Sequence, residues 1–270
     1  MKTSRIAQIL VAVSPLLSFA SAGDPCEQIY PSLVQNAKIP AKAALDCLKS
    51  IPLDTDYAKE TIHQLRQYMP FYSAQAYFRN PPEPKLELIP VELNKTLDAI
   101  EKNLASNGYS GFYSFSKDIF DMFGLYRDAH VVFWPTCLIP FAFTHDYPLI
   151  SLGSSPEEIP QIYLAQAGSD GLLSAGERIV KINGGDPVEF LTKLANTSPW
   201  LDWVDPDARF NELTVSMARG VWMNGAFAFR RTLEDQLIGM KLLTANGTNI
   251  NVEWYQPHPF PRLPQDHNSV

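Results

Sequence analysis

The sequence predicts an α+β protein, a helical half followed by a β-rich half, and three observations predict it. Up to about residue 128 the apolar residues recur at helical spacing. Beyond it the apolar runs are short, β-like and set between prolines and turns. Within the second half, one segment reads as a strand, an Asn-Gly turn and a short amphipathic helix. With 270 residues, 46% hydrophobic and 19% charged, the chain has ample material for a core and rules out a disordered tail.

Residues 1–22 read as a cleaved secretory signal: Lys2 and Arg5, then the apolar run from Ile9 to Phe19, then the small residues Ala20-Ser21-Ala22. That run is too short to span a bilayer, and prolines or charges interrupt every later candidate. Residues 23–130 form the expected helical region. Ile62, Leu65 and Met69 share a helix face behind Asp54 and Asp56, and Pro70 stops it. Asn80-Pro81-Pro82-Glu83-Pro84 reads as an extended connector. Leu93, Leu97, Ile100 and Leu104 make a second stripe closed by Asn107-Gly108, and Ser116 can cap a third helix carrying Ile119, Phe123 and Tyr126. Residues 131–255 form the β-rich region, with strands expected at Val131–Trp134, Phe141–Phe143 and Leu149–Leu152, and 256–270 a Pro-rich tail.

Lys+Arg is 22 against Asp+Glu 29, a net charge of −7 that argues against nucleic acid or an anionic membrane surface as partner. A secretory route gives the three cysteines meaning. An oxidising lumen favours pairing of Cys26 with Cys47, worth about 3 kcal/mol in the chain-entropy description. Cys137, among apolar neighbours, reads as a buried structural thiol. Asn94, Asn196 and Asn246 open glycosylation sequons, the second weakened by Pro199.

In the second half Gly176-Glu177-Arg178-Ile179-Val180-Lys181-Ile182-Asn183-Gly184 resembles the Gly-Asp-x-Ile-x-x-Ile-Asn-Gly core of PDZ domains, with Glu177 in place of Asp. The resemblance implies peptide binding by strand addition at a sheet edge, with Ile179, Ile182, Asn183 and Gly184 as the candidate peptide-binding residues. An ordinary β-hairpin would show the same Asn-Gly pair.

Generic active-site motifs are sparse. There is no His-Glu-x-x-His helix, Cys-x-x-Cys pair or phosphate-cradling loop, so neither metal nor cofactor is expected. Gly108-Tyr109-Ser110-Gly111 approaches a nucleophile elbow but lacks its closing glycine. His63 reads as solvated, His145 as a turn residue, and His258 and His267 lie in the tail. His130, in Arg127-Asp128-Ala129-His130-Val131, sits where a helix closes and a strand is expected to open. It is either a general base or a histidine favoured by a helix C-terminus.

A set of ordered elements resembles the N-terminal part of fungal secreted S41-family serine peptidases with a CPAF-like PDZ domain. They are Ala44–Pro52, Tyr77–Pro82, Asp128-Ala129-His130, Ile182-Asn183-Gly184, Asp205–Asn211 and Asn246-Gly247-Thr248. Within that family the chain is similar to the peptidases of ustiloxin- and phomopsin-type clusters. The resemblance implies His130 as general base for a serine, a peptide or protein substrate, and trimming of a ribosomally made precursor in mycotoxin biosynthesis, in the secretory pathway, secreted or vesicular. It also implies a crotonase-like domain carrying the serine. This chain ends at Val270 with that domain absent, so the expectation is a serine supplied by a second chain or a truncated peptidase. The alternative is a non-catalytic, secreted peptide-binding module.

Overall fold

A computed structural model describes residues 23–35, 37–155, 157–216 and 224–257 of the chain. The expected signal segment and the tail from His258 onward, including His267, lie outside these residues.

Helices α1 (Pro25–Val34) and α2 (Ala41–Ser50) pack together and are joined by the Cys26–Cys47 disulfide. α2 turns Ala44, Leu45, Cys47 and Leu48 inward on one face. α3 (Thr55–Tyr68) starts where Asp54 caps it, its carboxylate accepting the amides of Asp56 at 2.9 Å and Tyr57 at 3.0 Å. α4 (Gln75–Arg79) is short, and α5 (Leu93–Ala105) buries the stripe Leu93, Leu97, Ile100 and Leu104. α6 (Phe112–Gly124) begins four residues before the expected cap at Ser116. The Ser114 hydroxyl accepts the Gly111 amide at 3.3 Å and donates to the Gly111 carbonyl at 3.0 Å, and Tyr113 and Phe115 gain burial in the added turn.

Two antiparallel sheets follow. One orders β1 (Ile39–Pro40), β9 (Tyr255–Gln256), β2 (Phe143–Thr144) and β6 (Phe229–Arg230). It stitches the segment before α2 to the last described strand, Ile39 opposite Gln256. The other orders β3 (Leu149–Leu152), β4 (Gln161–Leu164), β5 (Arg178–Ile182), β7 (Lys241–Thr244) and β8 (Asn249–Asn251). Helices α7 (Pro187–Thr197), α8 (Pro206–Leu213) and α9 (Gly225–Ala228) lie between β5 and β6 in the chain. The expected strand at Val131–Trp134 is irregular chain instead. Pro135 follows it, and its rings are used singly: Phe133 stacks on Phe123 at 5.8 Å and Trp134 meets Phe120 and Trp200, each at 6.0 Å.

Apolar burial forms two clusters. The smaller joins α3, α5 and α6 through Ile62, Leu97, Ile100 and Ile119. The larger joins α1 and α2 to the five-stranded sheet, with Leu45 and Leu48 in the same cluster as Leu149, Ile162, Ile179, Leu191 and Leu242. It therefore draws helices from before residue 130 into the core of the β-rich half.

His145, read from the sequence as a turn residue, is inside this structure, 1% exposed, just after β2. Its ring meets Trp254 edge-on at 4.4 Å and Phe227 at 5.1 Å. A carbonyl can only accept, so Nε2 carries the proton donated to the Phe227 oxygen at 3.1 Å, and Nδ1 accepts the Tyr147 amide at 3.2 Å. The neutral ring is thus fully partnered. Burial, with the Arg230 charge adding to it and the Phe227 bond and Asp146 opposing, drives its pKa from 6.5 down to about 3. The unfolded chain takes up a proton near pH 6.5 that the folded chain refuses until about pH 3, so stability falls as pH drops through that window. The expected loss from this residue is on the order of 3 kcal/mol by about pH 4. Urea unfolding of wild type and His145→Gln from pH 7 to 4 checks it: the variant loses this part of the slope, and parallel profiles would contradict the assignment.

Candidate active site

The helix-to-loop junction after α6 is built by close packing. A Cβ at Gly124 would stand 1.9 Å from the Pro199 carbonyl oxygen, so only glycine lets α6 approach the loop after α7 this closely. Three residues on, Arg127 takes a left-handed backbone, φ 51°, an unfavourable choice for a long side chain. Its buried guanidinium repays the strain by donating to the carbonyls of Leu201 at 2.8 Å, Asn196 at 2.7 Å and Ser198. Burial, reinforced by the Arg209 charge and opposed by Asp202 and Glu212, pulls its pKa from 12.5 to about 10, so it stays cationic at neutral pH. Through these bonds the β-rich half fixes the direction in which the chain leaves α6.

That direction presents Asp128 and His130. Asp128 Oδ1 accepts the His130 backbone amide at 2.9 Å and lies 2.8 Å from His130 Nδ1. A carboxylate has no proton to give, so Nδ1 is the donor and Nε2 of the neutral ring holds the free lone pair. The other carboxylate oxygen accepts the Tyr72 hydroxyl at 2.8 Å. Burial works to raise the Asp128 carboxyl, but the bonds from the His130 amide, the Tyr72 hydroxyl and the His130 ring outweigh it and hold it below the usual carboxylate range. Tyr72 is pushed up, by burial first and then by the Asp128 charge, and remains a neutral donor. Its ring stacks on Phe78 at 6.3 Å and meets Tyr126 edge-on at 5.4 Å, which fixes the hydroxyl's position. The His130 side chain is 94% exposed. It stands at a cleft of about 650 Å³ walled by Tyr72, Tyr77, Phe78, Trp203 and Asp205.

Chemically, an imidazole held in one tautomer by a carboxylate, with its other nitrogen outward, can serve as a general base if a nucleophile comes within reach. His130 sits in a turn, its expected strand being absent, with Val131 N–H donating to the Asp128 carbonyl at 2.9 Å. The turn leaves the ring more accessible than a strand would. Asp128 was legible as part of the Asp-x-His pattern, because an aspartate two residues ahead can bond both amide and ring. Tyr72, 56 residues away, carried no signal of its own. Among the described residues, no three His, Cys, Asp or Glu side chains cluster to hold a metal ion.

The expected peptide-binding residues play other parts. Ile179 and Ile182 are 2% and 1% exposed and face the core, because the register shifts between Ile179 and Lys181 and the bulge turns both side chains inward despite their odd spacing. They do not line a groove. Asn183 and Gly184 form the tight turn after β5, with φ of 50° and 84°. The Asn183 side chain is spent inside the sheet, accepting the Lys241 amide at 2.8 Å and donating to the Gln236 carbonyl at 3.2 Å. Asp186 then caps α7 through the amides of Val188 and Glu189. At the other side of the sheet, the Val215 amide already donates to the Leu149 carbonyl of edge strand β3 at 2.8 Å. A peptide adding to β3 there would have to displace this contact.

Of the three sequons, Asn94 and Asn246 are exposed. The Asn196 amide is engaged at both ends, donating to Glu87 and accepting from Arg209 at 2.8 Å, so a glycan on its nitrogen would compete with the bond to Glu87. Cys26 and Cys47 are paired, and Cys137 is a buried free thiol whose pKa is raised by burial, against a bond to Ser116. Among the described residues no helix is long and apolar enough to cross a membrane.

Residues 142–258 match the CPAF-like PDZ domain family. This PDZ domain contains the five-stranded sheet, α7 and the β5 turn, and begins just after the Asp128–His130 element. Two curated relatives from Diaporthe leptostromiformis, the peptidase S41 family proteins phomP1 and phomP1′, are each 30% identical to this chain over 173 residues. The match covers 60% of this chain and 25% of each relative, so the chain spans about a quarter of their length. A solved structure of mature CPAF complexed with lactacystin superposes with a TM-score of 0.35 and 15% identity, over 74% of this chain and 35% of that one. That superposition is too loose to carry an argument.

Proposed function

We propose that this chain is the histidine-bearing part of an S41-type serine peptidase acting on a peptide or protein substrate. The observation that carries the reading is the Asp128–His130 pair, with Nδ1 bonded to a carboxylate and Nε2 presented at the mouth of a cleft. His130 Nε2 would take the proton of a serine hydroxyl as its oxygen attacks the scissile carbonyl, then return it to the leaving amine. Asp128 would hold the ring and stabilise the imidazolium formed between those steps. The serine would come from a crotonase-like domain, as a second chain or a longer form of this one. Trimming of a ribosomally made precursor peptide in a phomopsin-like pathway is the finer reading, supported by the named relatives. Residues 1–22, the Cys26–Cys47 pair and the exposed Asn94 and Asn246 support a secretory-pathway location, secreted or vesicular.

The test combines the chain with such a serine domain and follows hydrolysis of a blocked precursor-derived peptide. His130→Ala is expected to lower kcat by about four orders of magnitude. Unchanged cleavage by a folded His130→Ala protein would sink the reading.

A further inference from the structure

Directly after His130 the chain enters a second cavity. Phe120 of α6, Phe133, Trp134 and Trp200 line it, with Asp202 and Glu212 at its wall, and its volume is about 240 Å³. The rings brace one another: Phe120 lies 6.0 Å from Trp134 and 6.1 Å from Trp200, and the two indoles meet at 79°. Trp134 is nonetheless 42% exposed, so the cavity opens to solvent beside an aromatic wall. Two features tie it to the His130 cleft. Asp202 lines both spaces, and residues 131–134 run from the histidine along the cavity.

We infer that this cavity is a subsite for one uncharged aromatic side chain of a peptide lying across His130. The inference rests on the peptidase reading for the peptide's placement and goes beyond it in naming what the peptide must carry. Size suits the assignment, since an apolar cavity of roughly 150 Å³ already takes benzene. Ring geometry suits it too: walls at near right angles offer a guest ring both stacked and edge-on contacts. A cationic side chain is the rival occupant, because aromatic walls and two carboxylates attract one. Against it stands the guanidinium of Arg127, close enough to feel both Asp202 and Glu212, whose single positive charge already counters part of theirs and would repel a second cation. Arg127 is bonded to three backbone carbonyls and cannot swing away.

The test titrates the full chain with blocked alanine pentapeptides carrying Phe, Lys or Ala at the centre, read by calorimetry. The Phe peptide is expected to bind about tenfold more tightly than the Ala peptide, the Lys peptide no better than Ala. Trp134→Ala, at a partly exposed position, should bring Phe down to the Ala level. Val132→Trp, on the exposed rim, should do the same by filling the space. Equal or tighter binding of the Lys peptide overturns the inference. So does the absence of saturable binding, or Phe affinity unchanged in both variants. No bond is cleaved in this titration, so its failure leaves the peptidase reading standing, and failed hydrolysis leaves the subsite standing.

Discussion

Asp128→Asn, in the chain combined with its serine domain, is expected to lower kcat about a thousandfold or more with little change in KM. The asparagine is isosteric, and with its oxygen in the place of Oδ1 it still accepts the His130 amide and the ring Nδ1–H, so the turn survives. What changes is the charge: a neutral amide no longer stabilises the imidazolium formed when Nε2 takes the proton. Its NH2 also replaces the oxygen that accepted from Tyr72, so that brace on the pair is lost. Tyr72→Phe removes only one neutral donor from the carboxylate, and is expected to cost less than about tenfold. A KM-against-kcat split in both variants, with circular dichroism as the folding control, distinguishes a positioning role from a structural one. An Asp128→Asn protein with wild-type kcat would remove Asp128 from the site.

The largest effect on stability is expected at Arg230. Its side chain is fully buried, with Nε donating to the Ala226 carbonyl at 2.6 Å, Nη2 to the Ser198 hydroxyl at 3.1 Å and Nη1 to Glu234. Burial pushes the Glu234 carboxyl up, but the adjacent guanidinium and the Ser198 hydroxyl hold it below its ordinary 4.5. Arg230→Met leaves that carboxylate buried with its counter-charge gone, a loss of about 4 kcal/mol in urea unfolding near neutral pH. Adding Glu234→Leu should recover a large part of it, because two apolar neighbours need no desolvation. The wild-type pair also carries a sign in pH. A depressed carboxyl contributes stability that is fully present above about 4.5 and fades as pH falls through the folded value. A single variant costing under about 1 kcal/mol, or a double variant losing as much as the single, would show that the pair is not what holds β6 against the loop after α7.

Legibility followed the range of the interactions. The stripe Leu93, Leu97, Ile100 and Leu104 became α5, and the Asp54 cap and the Asn183-Gly184 turn formed where local chemistry asked for them. Each of those depends on neighbours within a few residues. Val131–Trp134 has a strand-like composition but is irregular, since its rings find partners on α6 and beyond α7 rather than on a sheet. His145 reads as a turn residue and is buried, because Phe227 and Trp254 come from far along the chain. Ile179 and Ile182 were placed on the right strand, and both turn out to be buried. The bulge between Ile179 and Lys181 that turns both inward leaves no mark in the alternation of the sequence.

By itself, then, the sequence determined the α+β order, the buried stripe of α5, the β5 turn and the Asp-x-His element, all consequences of short-range patterning. Tertiary structure decided what those pieces serve. It turned the His130 ring outward on an Asp128 carboxylate braced by Tyr72, closed part of the β3 edge with Val215, and gathered Phe120, Trp134 and Trp200 around one cavity. Those outcomes hang on contacts between residues tens of positions apart, such as Arg127 with the carbonyls of Asn196 and Leu201. Such pairs are brought together by the packing of both cores, so no local pattern in the chain could announce them.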